Sequence, residues 1–313
     1  MEEKQTGFLE SKYLSGIKRF LQRHPFPGVE ASWYEVLGIF INRIINYDID
    51  QRATSVAYGF TLALFPLILF LFTLIPYIPI PHLDVKIMEF LHEFIPGAIF
   101  EFAEQTIMDI VSRPQAGVLS IGFILALYGA TNGMVSLMRS FNMINGKEES
   151  RSFFQTRATA IMLIGFMALI LFLAVLLVIV GDAVMIFVTR LNIIADIWMI
   201  MMVNLVRYGI SLLSLAFGVA IIYRFAPDVR LKMKFFNFGT FLASALIVLS
   251  TFGFSYYLSN FSSYNKLYGS IGTIIALMLW LYLLALILIF GYEINITIQD
   301  ARQRSAREKK SSE

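Results

Sequence analysis

The sequence contains no cysteine and only three histidines, and these shortages exclude several kinds of chemistry. Without cysteine the chain cannot form disulfides, thiolate nucleophiles or cysteine-ligated zinc sites. The motifs HExxH and GxSxG and the Walker A phosphate-binding loop are also absent. We therefore expect a protein that is not an enzyme, holds no cofactor and does not hydrolyse ATP by itself.

Charge is also scarce, since charged residues make up 15% of the 313 residues and hydrophobic residues make up 58%. In soluble domains about a quarter of the residues are charged. The uncharged residues here form runs of more than about 18, which is the length that crosses a bilayer as a helix. The composition predicts an all-α polytopic membrane protein.

Six membrane spans can be read from the runs that lack Asp, Glu, Lys and Arg. They lie at or within Ser55–Ile75, Gln115–Met138, Ala158–Gly181, Tyr208–Tyr223, Phe235–Asn265 and Leu267–Tyr292. The fourth run has 16 residues, or about 24 Å of helix against a hydrocarbon core of about 30 Å. Either this span begins earlier, near Trp198, with Arg207 inside the outer leaflet, or Arg207 and Arg224 both snorkel to the interfaces.

The basic residues predict the orientation. Twenty of the 25 Lys and Arg residues lie before the first span, in the second and fourth connections, or after the last span. Because basic residues are retained on the cytoplasmic side, both termini are expected to be cytoplasmic. The same distribution predicts contact with anionic lipid headgroups rather than with nucleic acid. A homo-oligomer or an envelope protein partner is compatible with this pattern.

Three regions follow from these features. Residues 1–52 form a cytoplasmic region with two amphipathic interfacial helices, the stronger one in WYEVLGIFINRIINYD. Residues 53–295 form the six-helix transmembrane domain, including an external helical loop at 82–114 that is either a static cover or a lid. Residues 296–313 form a basic cytoplasmic tail that we expect to be disordered.

Several stretches resemble the YihY/virulence factor BrkB family. They are SVAYGFTLALFPLILFLF (55–72), RSFNMINGKEESRSFFQTR (139–157), YRFAPDVR (223–230) and above all 253–295, which ends in LILIFGYEIN. The resemblance covers about 43–295 and implies a six-span protein of the bacterial inner membrane. The family once carried a ribonuclease BN label, now regarded as mistaken, and its members are described as transporters or envelope factors. One departure is Tyr292, where the family often has alanine.

Glu293 is the sharpest candidate functional residue, because it ends an otherwise uncharged span. Its depth, about 34 Å along a helix that starts at Ser270, places it near the cytoplasmic edge of the bilayer. We expect an ion pair with Arg224, with Arg52 or Arg139 as rivals. Such a pair is either a gate or a static clasp.

Other candidates lie in or near the spans. Pro66 predicts either a static kink or a hinge in the first span, and Asn132 predicts hydrogen bonds between helices. Asp182 is a candidate partner for Arg207, which alternatively contacts an anionic headgroup or substrate.

The predicted function is that of a transporter, or of a permease for lipids or other amphiphiles. A non-transporting scaffold for envelope proteins is the alternative. A metal-dependent hydrolase using Glu89, His92 and Glu93 is the weakest hypothesis, since one such triplet is a common surface pattern on an amphipathic helix.

Overall fold

The fold is known from a computed structural model that describes residues 12–25, 32–46, 48–77, 114–190, 197–229, 234–259 and 270–312, together with Val85, Met88 and Met108. Within these ranges the chain forms eight α-helices. They are α1 (Lys12–Arg23), α2 (Trp33–Asn46), α3 (Ile49–Leu74), α4 (Ala116–Ile144), α5 (Phe153–Arg190), α6 (Ile197–Phe225), α7 (Phe238–Ser259) and α8 (Ser270–Ser312). The only β-pairing in the described ranges is a single bridge between Pro25 and Ser32.

Helices α3 to α8 are long and apolar enough to cross a membrane, which confirms the predicted all-α, six-span fold. The fourth spanning helix, α6, begins at Ile197. Its 29 residues correspond to about 43 Å of helix, enough to cross the hydrocarbon core. The helix therefore has the length that an earlier start near Trp198 requires, and Arg207 belongs to it, while the depth of Arg207 in the bilayer stays a prediction.

The six spanning helices form a closed circuit of contacts. Each helix from α3 to α7 packs against the next one in the chain, and α8 packs against both α7 and α3. Helix α8 also contacts α4 and the amphipathic helix α2. The arrangement makes α8 the element that connects the spanning bundle to the N-terminal helices.

The described core lies toward one end of the bundle. Here the C-terminal parts of α4, α6 and α8 meet the start of α3 and helix α2, and we call this end the terminal face. Its core includes Val56, Leu137, Phe141, Tyr223 and Ile289. Burying these side chains against each other removes apolar surface from the surroundings and fixes the helix ends that carry the site.

Two helix pairs approach closely because glycines face each other. A Cβ added to Gly59 of α3 would lie 2.7 Å from the Gly133 backbone of α4. Likewise, a Cβ on Gly291 of α8 would lie 2.9 Å from the Gly239 carbonyl oxygen of α7. Neither pair could keep this spacing with larger residues, so small residues set the helix separation, as they do in many membrane proteins.

The chain ends differ in part from the sequence expectation. The two amphipathic segments form α1 and α2 as expected, but α8 continues to Ser312 instead of ending near Asn295. The continuation, DARQRSAREKKSS, contains no proline or glycine and many good helix formers, which favours a helix over a disordered tail. Apart from Val85, Met88, Met108 and Pro114, the external loop lies outside the described residues.

Candidate functional site

Glu293 lies within α8 at the terminal face, and its side chain has no exposed surface. Helix α8 reaches this point after a long uncharged stretch, so its apolar neighbours pack around the carboxylate. A buried charge of this kind is costly unless other groups neutralise it and satisfy its hydrogen bonds. The residues around Glu293 therefore define a candidate functional site.

Arg43 of α2 supplies the neutralising charge. Its Nε donates to Glu293 Oε1, and one terminal nitrogen donates to Asp300 Oδ2 at 2.5 Å. The other terminal nitrogen donates to the Ile144 carbonyl at the end of α4, at 2.7 Å. Arg43 is itself only 13% exposed. A single guanidinium thus joins α2, α4 and α8, and its fork geometry suits several oxygen acceptors at once.

One oxygen atom of the network makes no hydrogen bond within the described part of the chain. Glu293 Oε2 is buried and has no hydrogen-bond partner among the described residues. Arg52, near the start of α3, also attracts the carboxylate electrostatically. The carboxylate is therefore neutralised by cations on two other helices, while one of its oxygens could still accept a hydrogen bond from a water, a solute or a repositioned side chain.

Aromatic rings pack beside the ion network. Phe141 stacks on Tyr292 with ring centroids 4.2 Å apart, and Tyr223 meets both rings edge-on. Tyr292 accepts a hydrogen bond from Asn145 Nδ2 at 2.8 Å, and Tyr223 donates to the Leu288 carbonyl at 2.9 Å. Tyr292 is thus a central contact between α4, α6 and α8.

Two pockets flank the α2–α8 contact. A polar pocket of about 280 Å³ is lined by Arg43, Asn145, Gln299 and Asp300, among others. An apolar groove of about 290 Å³ lies between α2, α7 and α8. Its lining includes Trp33, Phe40, Phe238, Phe290 and Thr297. The terminal face therefore offers a polar and an apolar compartment next to the same two helices.

A second ionic cluster fastens the loops of this face. Arg151 pairs with Glu149 at 2.5 Å, lies 3.6 Å from Asp228 and donates to the Ala226 carbonyl at 2.8 Å. The Ser150 hydroxyl donates to Asp228. This hydrogen bond holds the pKa of Asp228 below its usual value. Burial opposes it by raising the pKa, and the Ser150 backbone N–H and the charges of Arg151 and Lys147 add smaller lowering effects. The cluster ties the loop after α4 to the loop after α6.

The structure replaces the expected partner of Glu293. We predicted Arg224, but Glu293 pairs with Arg43, because α2 packs directly on α8. Arg224, at the end of α6, is exposed and lines a small pocket with Lys234 and Asn237. That pocket shares Val229 with the polar pocket, so Arg224 belongs to the same face without pairing with Glu293. Of the two rival residues, Arg52 interacts with Glu293, whereas Arg139 is exposed on α4 and forms no ion pair with Glu293.

The other predicted site residues are not gathered at this network. Pro66 is half-buried within α3, which continues unbroken through it. Asn132 is half-buried in α4, and no side-chain hydrogen bond to another described residue is formed there. The side chains of Asp182 and Arg207 lie outside the described part of the structure.

The proposed hydrolase triplet, Glu89, His92 and Glu93, also lies outside the described residues. In the described ranges, no group of three or more His, Asp or Glu side chains could hold a metal ion. The hydrolase hypothesis therefore stays a prediction.

Sequence reasoning missed Arg43 and Asp300. The amphipathic pattern of WYEVLGIFINRIINYD places Arg43 on the polar face of α2, opposite the apolar face that contains Phe40 and Ile44. Phe40 and Arg43 are three positions apart, however, so both lie within one helical turn and can contact α8 together. Glu293 and Asp300 are seven residues apart, which places them on one face of a continuous helix. Recognising that α8 extends beyond Glu293 would have revealed this pair of carboxylates.

The comparisons with known proteins agree with the fold. The family model described as virulence factor BrkB matches residues 40–313. A "Putative ribonuclease-like protein YfkH" of Bacillus subtilis (strain 168) is 32% identical over 267 residues, covering 84% of this chain and 94% of that protein. A UPF0761 membrane protein of Alteromonas mediterranea is 25% identical over 282 residues, covering 88% of this chain and 91% of its own. No solved structure matches.

The family match extends over most of the chain and includes Arg43, Glu293 and Asp300, the three side chains of the ion network. It also agrees with the six candidate membrane spans. The chain is an integral membrane protein that belongs to the virulence factor BrkB family.

Proposed function

We propose that this protein transports an anionic amphiphile, and that the described structure is a state closed at the terminal face. The observation that carries the proposal is the fully buried Glu293, held by Arg43 of a helix outside the bundle. Ionisable residues inside membrane spans are expensive, and they commonly mark substrate or ion pathways and their gates. A purely structural contact could be made with apolar residues at lower cost.

The gate would work by exchanging partners. Separating α2 from α8 breaks the Arg43–Glu293 pair and exposes the polar pocket beside it. A negatively charged headgroup entering this pocket could then take the place of Glu293 as a ligand of Arg43. Because the ligand would bind only the opened arrangement, its binding would favour opening.

The two pockets support an amphiphilic solute. The polar pocket, lined by Arg43 and Asn145, suits a headgroup, and the apolar groove next to Phe40 and Phe290 suits a hydrocarbon chain. Arg224 and Lys234 line the adjoining small pocket and favour negative charge. We assign this face to the cytoplasmic side of the bacterial inner membrane, because the sequence segments that adjoin it carry 20 of the 25 Lys and Arg residues.

The name of the Bacillus relative raises RNA cleavage as another activity. Such cleavage needs a general base or a metal-activated water next to the phosphate. In the network described here, Glu293 and Asp300 each bind the guanidinium of Arg43 through one oxygen, and the positive charge of Arg43 opposes the binding of a metal cation between them. Transport therefore accounts for these carboxylates better.

A static scaffold is the second candidate, and it is favoured by the dense packing of Phe141, Tyr223 and Tyr292 at the same face. In that case the ion network would be a permanent clasp. The two candidates differ in whether the network must open for the protein to work.

The experiment compares membrane lipids and metabolites from cells that lack the gene with those from complemented cells. We expect an anionic amphiphile to change in abundance on deletion and to recover with the wild-type gene, but not with Glu293→Gln or Arg43→Gln. Arg139→Gln, at an exposed position of α4, is the matched control and should restore the profile. Full recovery with both gate variants at equal protein level would contradict the proposal.

A further inference from the structure

Arg157 occupies the boundary between polar and apolar sequence. It lies one turn into α5, directly before the uncharged residues 158–181. Its side chain is partly buried, and helical side chains incline toward the N-terminus of their helix, which here faces the terminal face. The guanidinium therefore lies near the start of the apolar part of α5, where it meets the middle turns of α4.

Neighbouring side chains hold this guanidinium in place. One terminal nitrogen donates to Thr131 Oγ1 of α4 at 2.8 Å. The Thr131 hydroxyl donates in turn to the Tyr128 carbonyl at 2.7 Å, so its oxygen is oriented as an acceptor for Arg157. The Arg157 Cζ lies 4.8 Å from the Tyr128 ring centroid and 5.4 Å from that of Phe153. The arginine is thus positioned before any ligand arrives.

The charge of Arg157 is not neutralised in the same way as that of the other buried arginines. Arg43 binds Glu293 and Asp300, and Arg151 binds Glu149 and Asp228. No carboxylate of the described residues lies within ion-pair distance of Arg157, whose contacts are a hydroxyl and two aromatic rings. A guanidinium has five N–H groups, and Thr131 accepts a hydrogen bond from one of its terminal nitrogens. Several donors therefore remain for an anion with two oxygens.

The surroundings of Arg157 favour a lipid as the source of that anion. Tyr128, Phe153 and Phe154 are 56%, 66% and 82% exposed, which leaves a broad aromatic surface beside the arginine. In a membrane-spanning bundle such rings contact lipid, and aromatic residues are characteristic of the interface. A free phosphate ion would satisfy the guanidinium but would leave the rings without a partner.

We infer that Arg157, Thr131, Tyr128 and Phe153 form a binding site for the phosphate group of an anionic glycerophospholipid. The phosphate accepts two N–H bonds from Arg157, while the glycerol and the first acyl carbons lie on the exposed rings. This geometry uses the fork of the guanidinium, which matches two phosphate oxygens. The site does not depend on the proposed transport: a lipid held at the α4–α5 contact would stabilise a static protein equally well.

Native mass spectrometry of the detergent-purified protein tests the site, with phosphatidylglycerol as the probe and phosphatidylethanolamine as the comparison. Arg157→Gln should weaken the tightest phosphatidylglycerol binding step about tenfold, the loss expected for one charge-assisted hydrogen-bonded contact. Arg139→Gln, an exposed arginine of α4, is the control and should leave this step unchanged. Millimolar inorganic phosphate should not displace the bound lipid.

A second variant keeps the test informative if Arg157→Gln does not fold. Thr131→Val retains the arginine but removes its acceptor, and it should weaken phosphatidylglycerol binding by a smaller factor. Three results would overturn the inference. They are unchanged phosphatidylglycerol binding in the folded variants, equal binding of phosphatidylethanolamine through Arg157, and displacement of the lipid by inorganic phosphate, which would indicate a simple anion site.

Discussion

Glu293 and Arg43 form the interaction on which the proposed function depends, and their burial has a measurable consequence. Removing one partner of a buried ion pair leaves the other charge without compensation, which typically costs about 3–5 kcal/mol. Replacing both partners removes the charge problem altogether. The pair should therefore show strong thermodynamic coupling.

We expect Arg43→Gln to lower the thermal stability of the purified protein more than Glu293→Gln, because only the first variant leaves a buried carboxylate without its nearest cation. The double variant should be more stable than Arg43→Gln alone. The melting temperatures of the two single variants and the double variant, measured in the same detergent, test this order, and Arg139→Gln is the exposed control. Equal melting temperatures for Arg43→Gln and Arg139→Gln would show that the pair contributes nothing.

Asp228 gives the terminal face a defined response to pH. Its pKa is lowered in the folded protein, chiefly by the hydrogen bond from Ser150. A lowered folded pKa contributes stability above the unfolded pKa, and this contribution is lost as the pH falls through the folded value. The loop contacts should therefore be intact at neutral pH and weaken in acid.

Hydrogen exchange at residues 145–152 measures this effect. We expect faster exchange when the pH falls below the ordinary carboxyl range, after correction for the intrinsic rate. Ser150→Ala should move the onset of this faster exchange to higher pH. In Asp228→Asn, residues 145–152 should exchange rapidly at every pH. An acid response that persists in Asp228→Asn would assign the effect to another group.

At the scale of elements, the contact between α7 and α8 depends on Gly239 and Gly291, which face each other at the level of the ion network. A Cβ on Gly239 would lie 2.6 Å from Asn295 Cγ, and the Gly239 N–H donates to Asn295 Oδ1 at 2.8 Å. Any side chain at this position must therefore push α7 away from α8. Gly253 of the same helix has no atom within 4 Å of an added Cβ.

These two positions form a matched pair of variants. Gly239→Ala should destabilise the protein by about 1–3 kcal/mol, the usual cost of overpacking. Gly253→Ala should be neutral or slightly stabilising, because alanine favours the helix over glycine. Melting curves of the two variants, purified in the same detergent, compare their thermal stabilities. Equal effects at both positions would mean that α7 and α8 are not closely packed.

At the scale of the whole molecule, the sequence predicted the six spans because uncharged runs of membrane length are strong local signals. It also located Glu293, since a lone charge after such a run is visible without a structure. The partner was not predictable in the same way. Arg43 and Glu293 are 250 residues apart, and their contact depends on how α2 lies against α8.

The extent of α8 is a second limit of the sequence interpretation. The change from apolar to basic residues after Glu293 suggested that the helix ended there, whereas composition marks the membrane boundary and not the end of a helix. Asp300 and the polar pocket follow from the continuation of α8. Residues that act through helix packing, such as Tyr292 and Gly291, likewise became interpretable only from the fold.

The orientation of the bundle can be tested directly, because the chain has no cysteine of its own. Lys147→Cys reports the terminal face, and Ala116→Cys, at the start of α4, reports the opposite end; both positions are exposed. In intact spheroplasts a membrane-impermeant maleimide should label Ala116→Cys only. Permeabilised cells should show labelling of both. The reverse pattern in intact spheroplasts would place the terminal face outside.

The central claim is that the terminal face is a gate that opens when Arg43 and Glu293 separate. Ser140 lies in the core of this face and is 4% exposed, and cysteine is nearly its isostere. The most direct measurement is the rate at which a soluble thiol reagent modifies Ser140→Cys in membranes. If the gate opens, Glu293→Gln and Arg43→Gln should raise this rate several-fold while Arg139→Gln leaves it unchanged. Identical slow rates in all four backgrounds would contradict the gate and identify the network as a static clasp.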